Sequence, residues 1–210
     1  MIDSTRYPVP AGRCSADDTV DRSRFICDLT RAATTDDAQA FVREIEATYP
    51  DATHHCWAFV VGPPGSTSHV GMSDDGEPHG TAGRPMLTVL LHSGIGEIVA
   101  VVTRYYGGTK LGTGGLARAY AAAVQAALTG LPTTERVEYA SLVIVVSYAH
   151  LSPVRHLLAG FEAVVANEDF GEHVTVTLRV PRMHLYALRM AVGNITSGQA
   201  IFPDDTQPSA

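Results

Sequence analysis

The sequence RYYGGTKLGTGGLARAY, residues 104–120, joins a predicted strand to a predicted helix. It follows an apolar run at residues 98–103 that predicts a buried strand. After it, Leu116, Tyr120 and Val124 recur at four-residue spacing among many alanines, which predicts a thin helix over residues 116–128 that can approach a sheet closely. The five glycines between strand and helix predict a tight connecting loop.

This glycine-rich loop has the chemistry of an anion or partner site. Its exposed N–H groups and the start of a helix favour negative charge, and Lys110 is the only lysine of the chain. It matches neither a Walker A loop nor a dinucleotide fingerprint. The alternative is that the glycines only allow close packing of helix against strand. The candidate residues are Arg104, Gly107, Gly108, Lys110, Gly112, Gly114, Gly115 and Arg118.

An acidic segment, SDDGEPHGTAGRP at residues 73–85, is the second candidate. Its members of interest are Asp74, Asp75, Glu77 and Arg84. Three carboxylates so close together suit a hard cation or acid–base chemistry. The alternative, which we favour, is an acidic turn that pairs with the basic loop inside the fold, so we expect no metal and no cofactor.

The sequence HHCW at residues 54–57 is a weaker candidate. Alternation along a strand places His54 and Cys56 on one face and His55 on the other. One His and one Cys do not make a zinc site, and Cys56 is expected to fill the core.

Composition excludes several classes of protein. The 210 residues include 15 Lys and Arg against 22 Asp and Glu, a net charge of −7, which argues against coating nucleic acid or anionic membrane by bulk charge. Three cysteines without a CxxC pair suit reduced thiols. With no leader-like start and no long apolar run, we expect a cytoplasmic protein without a membrane association.

The order of predicted elements indicates two α+β domains. We expect a mobile arm at residues 1–22, an N-terminal domain at 23–131 and a tail at 204–210. Between a linker at 130–134 and the tail, residues 135–203 follow the order βαββαβ of a ferredoxin-like domain.

No acid lies between Glu97 and Glu135, a stretch that contains the glycine-rich loop. A second acid-free stretch lies in the C-terminal domain, between Glu172 and Asp204. At helical spacing, Arg182, Tyr186 and Arg189 fall on one face of the last predicted helix. Such a C-terminal ridge suits phosphate contact with stacking. A solvated helix face is the equally favoured alternative.

These segments resemble the YigZ/IMPACT family. The resemblance rests on residues 104–120 and 73–85, on DATHHC at residues 51–56 and on SRFI at residues 23–26. It implies an N-terminal domain similar to the second domain of a small-subunit ribosomal protein, and a C-terminal domain similar to one in elongation factor EF-G. Eukaryotic relatives control translation through an additional N-terminal domain that competes for the activator of a kinase. That domain is not in this sequence, so no such interaction is expected.

Two functions from different classes remain open. The preferred one is a translation-associated regulatory protein that contacts RNA or a ribosome-associated partner through the glycine-rich loop. The alternative is an enzyme that acts on a small phosphorylated substrate, with magnesium held by the acidic segment. An enzyme needs the carboxylates and the cations to face one pocket.

Overall fold

A computed structural model of the protein describes residues 5–203. Its strands are β1 Arg6–Pro10, β2 Cys14–Val20, β3 Ser23–Arg31, β4 His54–Val60, β5 Val70–Ser73, β6 Ile98–Tyr105, β7 Thr133–Val137, β8 Tyr139–Val146, β9 Val164–Phe170 and β10 Val174–Pro181. Its α-helices are α1 Thr35–Thr48, α2 Gly83–His92, α3 Gly112–Thr129, α4 Tyr148–Leu158 and α5 Leu185–Ile195. The chain divides into two compact units, Met1–Arg136 and Val137–Ala210.

An antiparallel sheet of order β2-β3-β6-β4-β5 forms the centre of the N-terminal unit. Strand β6 is its middle strand and is buried along nearly its whole length. Val99 and Val101 face α1, whereas Ala100 and Val102 face α2 and α3. Helices therefore cover both faces of the sheet, which explains why this strand is a continuous apolar run.

Helix α3 packs on the sheet through alanines, as its composition predicts. Ala119, Ala123 and Ala127 are buried beside Tyr120. The Tyr120 ring meets Phe25 of β3 edge to face, with 5.3 Å between the ring centroids. The helix begins at Gly112 instead of residue 116, because the last glycines of the predicted loop form its first turn.

The prediction of a mobile arm is wrong for the described part of residues 1–22. Strand β1 pairs with β7, and β2 pairs with β3. Asp21 and Arg22 make the connecting two-residue turn, both with positive φ. Turns of this kind usually carry Asn-Gly or Asp-Gly, so the sequence gives little sign of the hairpin. Strand β7 also occupies part of the predicted linker.

The C-terminal unit is ferredoxin-like. Its sheet has the order β8-β10-β9, and α4 and α5 pack on the same core. The strand predicted at residues 199–202 is reduced to a single bridge between Ile201 and Val145 of β8. The predicted two-domain α+β fold is thus confirmed; the tail at 204–210 lies outside the described residues.

No helix within residues 5–203 is long and apolar enough to cross a membrane.

Candidate functional site

A cleft of about 350 Å³ lies between the acidic segment and the start of α3. Arg104, at the end of β6, and Lys110 provide its two cations, and Glu77 provides its one carboxylate. The complete lining is Glu77, Pro78, Arg104, Tyr106, Lys110, Leu111, Gly112, Thr113 and Leu116. The structure therefore brings part of the glycine-rich loop together with one acid of the acidic segment.

Glu77 and Arg104 form a buried ion pair at the base of this site. Arg104 Nη1 lies 2.5 Å from Glu77 Oε1, and both side chains are at most 5% exposed. The Tyr120 hydroxyl donates to the same oxygen at 2.8 Å, and Arg104 Nη2 donates to Ser23 Oγ at 3.2 Å. Glu77 neutralises Arg104, so Lys110 carries the uncompensated charge of the cleft.

The thiol of Cys56 is fully buried and contacts the Tyr120 hydroxyl that donates to Glu77. It contacts the Asp74 carbonyl oxygen at 3.0 Å and the Tyr120 hydroxyl at 3.3 Å. Burial raises the pKa of Cys56 and of Tyr120 well above their ordinary values. Both groups are protonated at neutral pH, so Cys56 belongs to the core.

Asp74 organises the acidic segment by itself. Its carboxylate accepts hydrogen bonds from the N–H groups of Gly80 at 2.7 Å, Ala82 at 3.0 Å and Gly83 at 2.9 Å. Burial acts to raise the pKa of Asp74, but the three hydrogen bonds outweigh it and hold the pKa below its usual range. Asp74 thereby caps the start of α2.

Asp75 and its neighbours are also engaged in structural contacts. The Asp75 carboxylate accepts the N–H of His55 at 2.6 Å, and its carbonyl oxygen lies 2.7 Å from His54 Nδ1. Arg84 is exposed on α2 and does not line the cleft. Among residues 5–203 no group of three or more His, Cys, Asp or Glu side chains could hold a metal ion.

The glycines of the loop have different roles. A Cβ at Gly107 would lie 1.9 Å from the Arg22 carbonyl oxygen, and Gly108 and Gly112 have φ of +85° and +72°. The fold requires these three. At Gly114 a Cβ would meet only the end of the Arg118 side chain at 3.5 Å, so packing does not explain that glycine.

Among residues 5–203, the N-cap residue of α3 provides no side-chain hydrogen bond to the first turn of the helix. Leu111 occupies the cap position and makes no such bond, and the turn contains no acid. Helix α1 by contrast has a complete capping box between Thr34 and Asp37. A helix start leaves about four N–H groups without an intrahelical partner, so those of α3 are available to an anion at the cleft.

The remaining cations differ in position. Lys110 is exposed and has no ion-pair partner within residues 5–203. Arg118 is exposed too, but it lines a separate hollow with Asp21.

In the C-terminal ridge, Arg182 pairs with Glu138 at 2.8 Å. The Arg189 guanidinium lies 4.4 Å from the centroid of the Phe202 ring. Tyr186 between them is 75% exposed. Both arginines of the ridge already have intramolecular contacts.

Comparison with known proteins identifies the chain. The family model of the Impact N-terminal domain matches residues 21–128. The family model of a domain of unknown function, DUF1949, matches residues 144–199. IMPACT family member YigZ of Escherichia coli K12 is 41% identical over 173 residues, which cover 82% of this chain and 85% of that protein. The chain belongs to the IMPACT family. An IMPACT family member of Haemophilus influenzae is 38% identical over 195 residues, 93% of this chain and 95% of that protein.

A solved structure has a similar fold. It is a crystal structure described as that of a hypothetical protein, 36% identical, with a TM-score of 0.66 over 94% of this chain and 96% of that one. Membership of the IMPACT family supports a translation-related regulatory role at the level of the family.

Proposed function

We propose that this IMPACT family protein is a translation-associated binding protein that contacts RNA, or an anionic group of a ribosome-associated partner, through the cleft at the start of α3. The observation that carries the proposal is the uncapped first turn of α3 beside Lys110 in one cleft. Helix N–H groups and a nearby ammonium group together favour a phosphate.

The acids nearby support a binding role over catalysis. Asp74 and Asp75 are absent from the lining of the cleft and accept backbone hydrogen bonds. Glu77 is the one acid in the lining, and its Oε1 accepts from both Arg104 and Tyr120. A general base needs an oxygen within hydrogen-bond reach of the substrate proton, which leaves Glu77 Oε2 as the single acidic atom for the enzyme alternative.

The contact is expected to be local, because the chain as a whole has a charge of −7. A binding protein with few phosphate contacts has a shallow dependence of affinity on salt. The C-terminal ridge supplies a second and weaker contact in this proposal, through the exposed ring of Tyr186.

The test is fluorescence anisotropy of labelled single-stranded RNA with the full chain at several salt concentrations. Lys110→Ala should weaken binding about 5- to 10-fold and make the salt slope shallower by roughly one. Arg43→Ala is the matched control, because Arg43 is an exposed cation on α1, across the sheet from α3. Equal affinities of the two variants, or no RNA binding by the wild type at low salt, would contradict the proposal.

A further inference from the structure

Tyr106 is a half-exposed aromatic ring in the lining of the cleft. Its backbone is fixed on both sides, because the Tyr106 N–H donates to Thr53 Oγ1 at 3.1 Å and the Gly107 N–H donates to Ser23 Oγ at 3.2 Å. An aromatic ring on a fixed backbone is a preformed stacking surface. Holding a phosphate alone would not require it.

Arg104 connects this ring to the polar part of the cleft. Its guanidinium carbon lies 5.5 Å from the centroid of the Tyr106 ring. Arg104 is 4% exposed, and its Nε has no hydrogen-bond partner within residues 5–203. The other guanidinium nitrogens donate to Glu77 Oε1 and Ser23 Oγ, which holds the guanidinium in place beside the ring.

Most of the remaining lining is apolar, and the cleft is small. Pro78, Leu111 and Leu116 contribute the apolar surface. The volume, about 350 Å³, is at the lower end of the range of about 300–1,000 Å³ for small-molecule sites. The cleft thus combines an anion site, an aromatic ring and apolar walls in a space that suits one nucleotide.

We infer that the cleft takes a single nucleotide unit, with its phosphate at the first turn of α3 and Lys110 and its base stacked on Tyr106. The inference rests on the proposed function, which by itself requires only an anion in the cleft. A free mononucleotide and one residue of a single-stranded RNA share this chemistry. Bases inside a duplex are stacked on each other and cannot use the ring.

The experiment compares three ligands by calorimetric titration of the full chain at low ionic strength: adenosine 5′-monophosphate, ribose 5-phosphate and inorganic phosphate. Stacking of a base predicts that adenosine 5′-monophosphate binds about 5- to 100-fold more tightly than ribose 5-phosphate. Tyr106→Ala should abolish this difference and leave the affinity for ribose 5-phosphate unchanged. Tyr106→Phe should retain it, and Lys110→Ala should weaken both ligands.

A single-stranded oligoadenylate distinguishes the two sources of the nucleotide. Binding at least about tenfold tighter than the monophosphate indicates RNA, because further residues add contacts, whereas equal affinity indicates a free nucleotide. Equal binding of adenosine 5′-monophosphate and ribose 5-phosphate by the wild type overturns the inference, as does an equal loss of both in Tyr106→Ala. If Lys110→Ala still weakens RNA binding, the proposed function survives that result; if no phosphate compound and no RNA binds, the proposed function itself fails.

Discussion

Arg104→Ala is expected to destabilise the N-terminal unit by about 3–5 kcal/mol, because it leaves Glu77 as an unpaired carboxylate in the interior. The two side chains are 5% and 4% exposed, so the carboxylate that remains is largely shielded from water. The Tyr120 hydroxyl still donates to Glu77, but one neutral hydrogen bond, worth about 1 kcal/mol, does not compensate for a lost opposite charge.

Urea unfolding followed by tryptophan fluorescence measures the stability of the N-terminal unit. Trp57 is the only tryptophan of the chain and lies in β4, so its emission reports on the N-terminal unit. Lys110→Ala is the control, since loss of an exposed cation in the same cleft should cost at most about 0.5 kcal/mol.

A double variant separates an unpaired charge from lost packing. Glu77→Leu combined with Arg104→Met removes both charges and should recover most of the stability lost in Arg104→Ala. A cost of less than about 1 kcal/mol for Arg104→Ala, or a double variant that is no more stable than the single one, would rule out an unpaired buried charge as the cause.

Three further predictions concern stability and reactivity. Asp74→Asn should lower the free energy of unfolding by about 1–3 kcal/mol at pH 7. Because the fold lowers the pKa of Asp74, the stabilisation by its carboxylate is complete above the unfolded-state pKa of about 3.9 and is lost as the pH falls through the lower pKa of the folded state. The difference in urea midpoint between wild type and variant should therefore be smaller at pH 3 than at pH 7. Iodoacetamide should modify the half-buried Cys14 in the folded protein but Cys56 only after unfolding, since burial raises the pKa of Cys56. Mass spectrometry at successive times gives the order of labelling, and labelling of Cys56 before unfolding would contradict the prediction. Gly107→Ala should destabilise the protein strongly, because the new Cβ would lie 1.9 Å from a carbonyl oxygen. Gly114→Ala should stabilise it by about 0.5–1 kcal/mol, because alanine favours a helix and has room at this position. Thermal unfolding should therefore give a lower Tm for the first variant and a higher Tm for the second.

The parts of the fold that the sequence predicts are those with strong periodicity. Strand β6 is an uninterrupted apolar run because helices cover both of its faces. Helix α3 shows its buried stripe through Leu116, Tyr120 and Val124. Strand β2 could not be predicted, since it is a half-exposed edge strand and its turn at Asp21 and Arg22 lacks the usual glycine.

The sequence predicts which segments form the site but not which of their residues contact each other. The acidic segment contacts residues 104–120 as expected, but the sequence does not predict which acid makes the contact. Asp74 accepts hydrogen bonds from N–H groups of its own loop, which the turn from Pro78 to Thr81 brings close to it. Glu77 reaches Arg104 instead. The sequence does not predict the roles of two tyrosines. Tyr120 belongs to an apolar stripe that predicts only its burial, and nothing in the sequence places the Tyr106 ring in the cleft.

The most direct test of an anion site at the start of α3 is a ¹⁵N–¹H NMR titration of the full chain with a short single-stranded RNA at low salt. We predict that the amide signals of residues 110–115 shift most, since those N–H groups would donate to phosphate. We expect smaller shifts in the C-terminal ridge and none in α1. Unchanged signals at 110–115, with shifts confined to other surfaces, would contradict an anion site at this helix start.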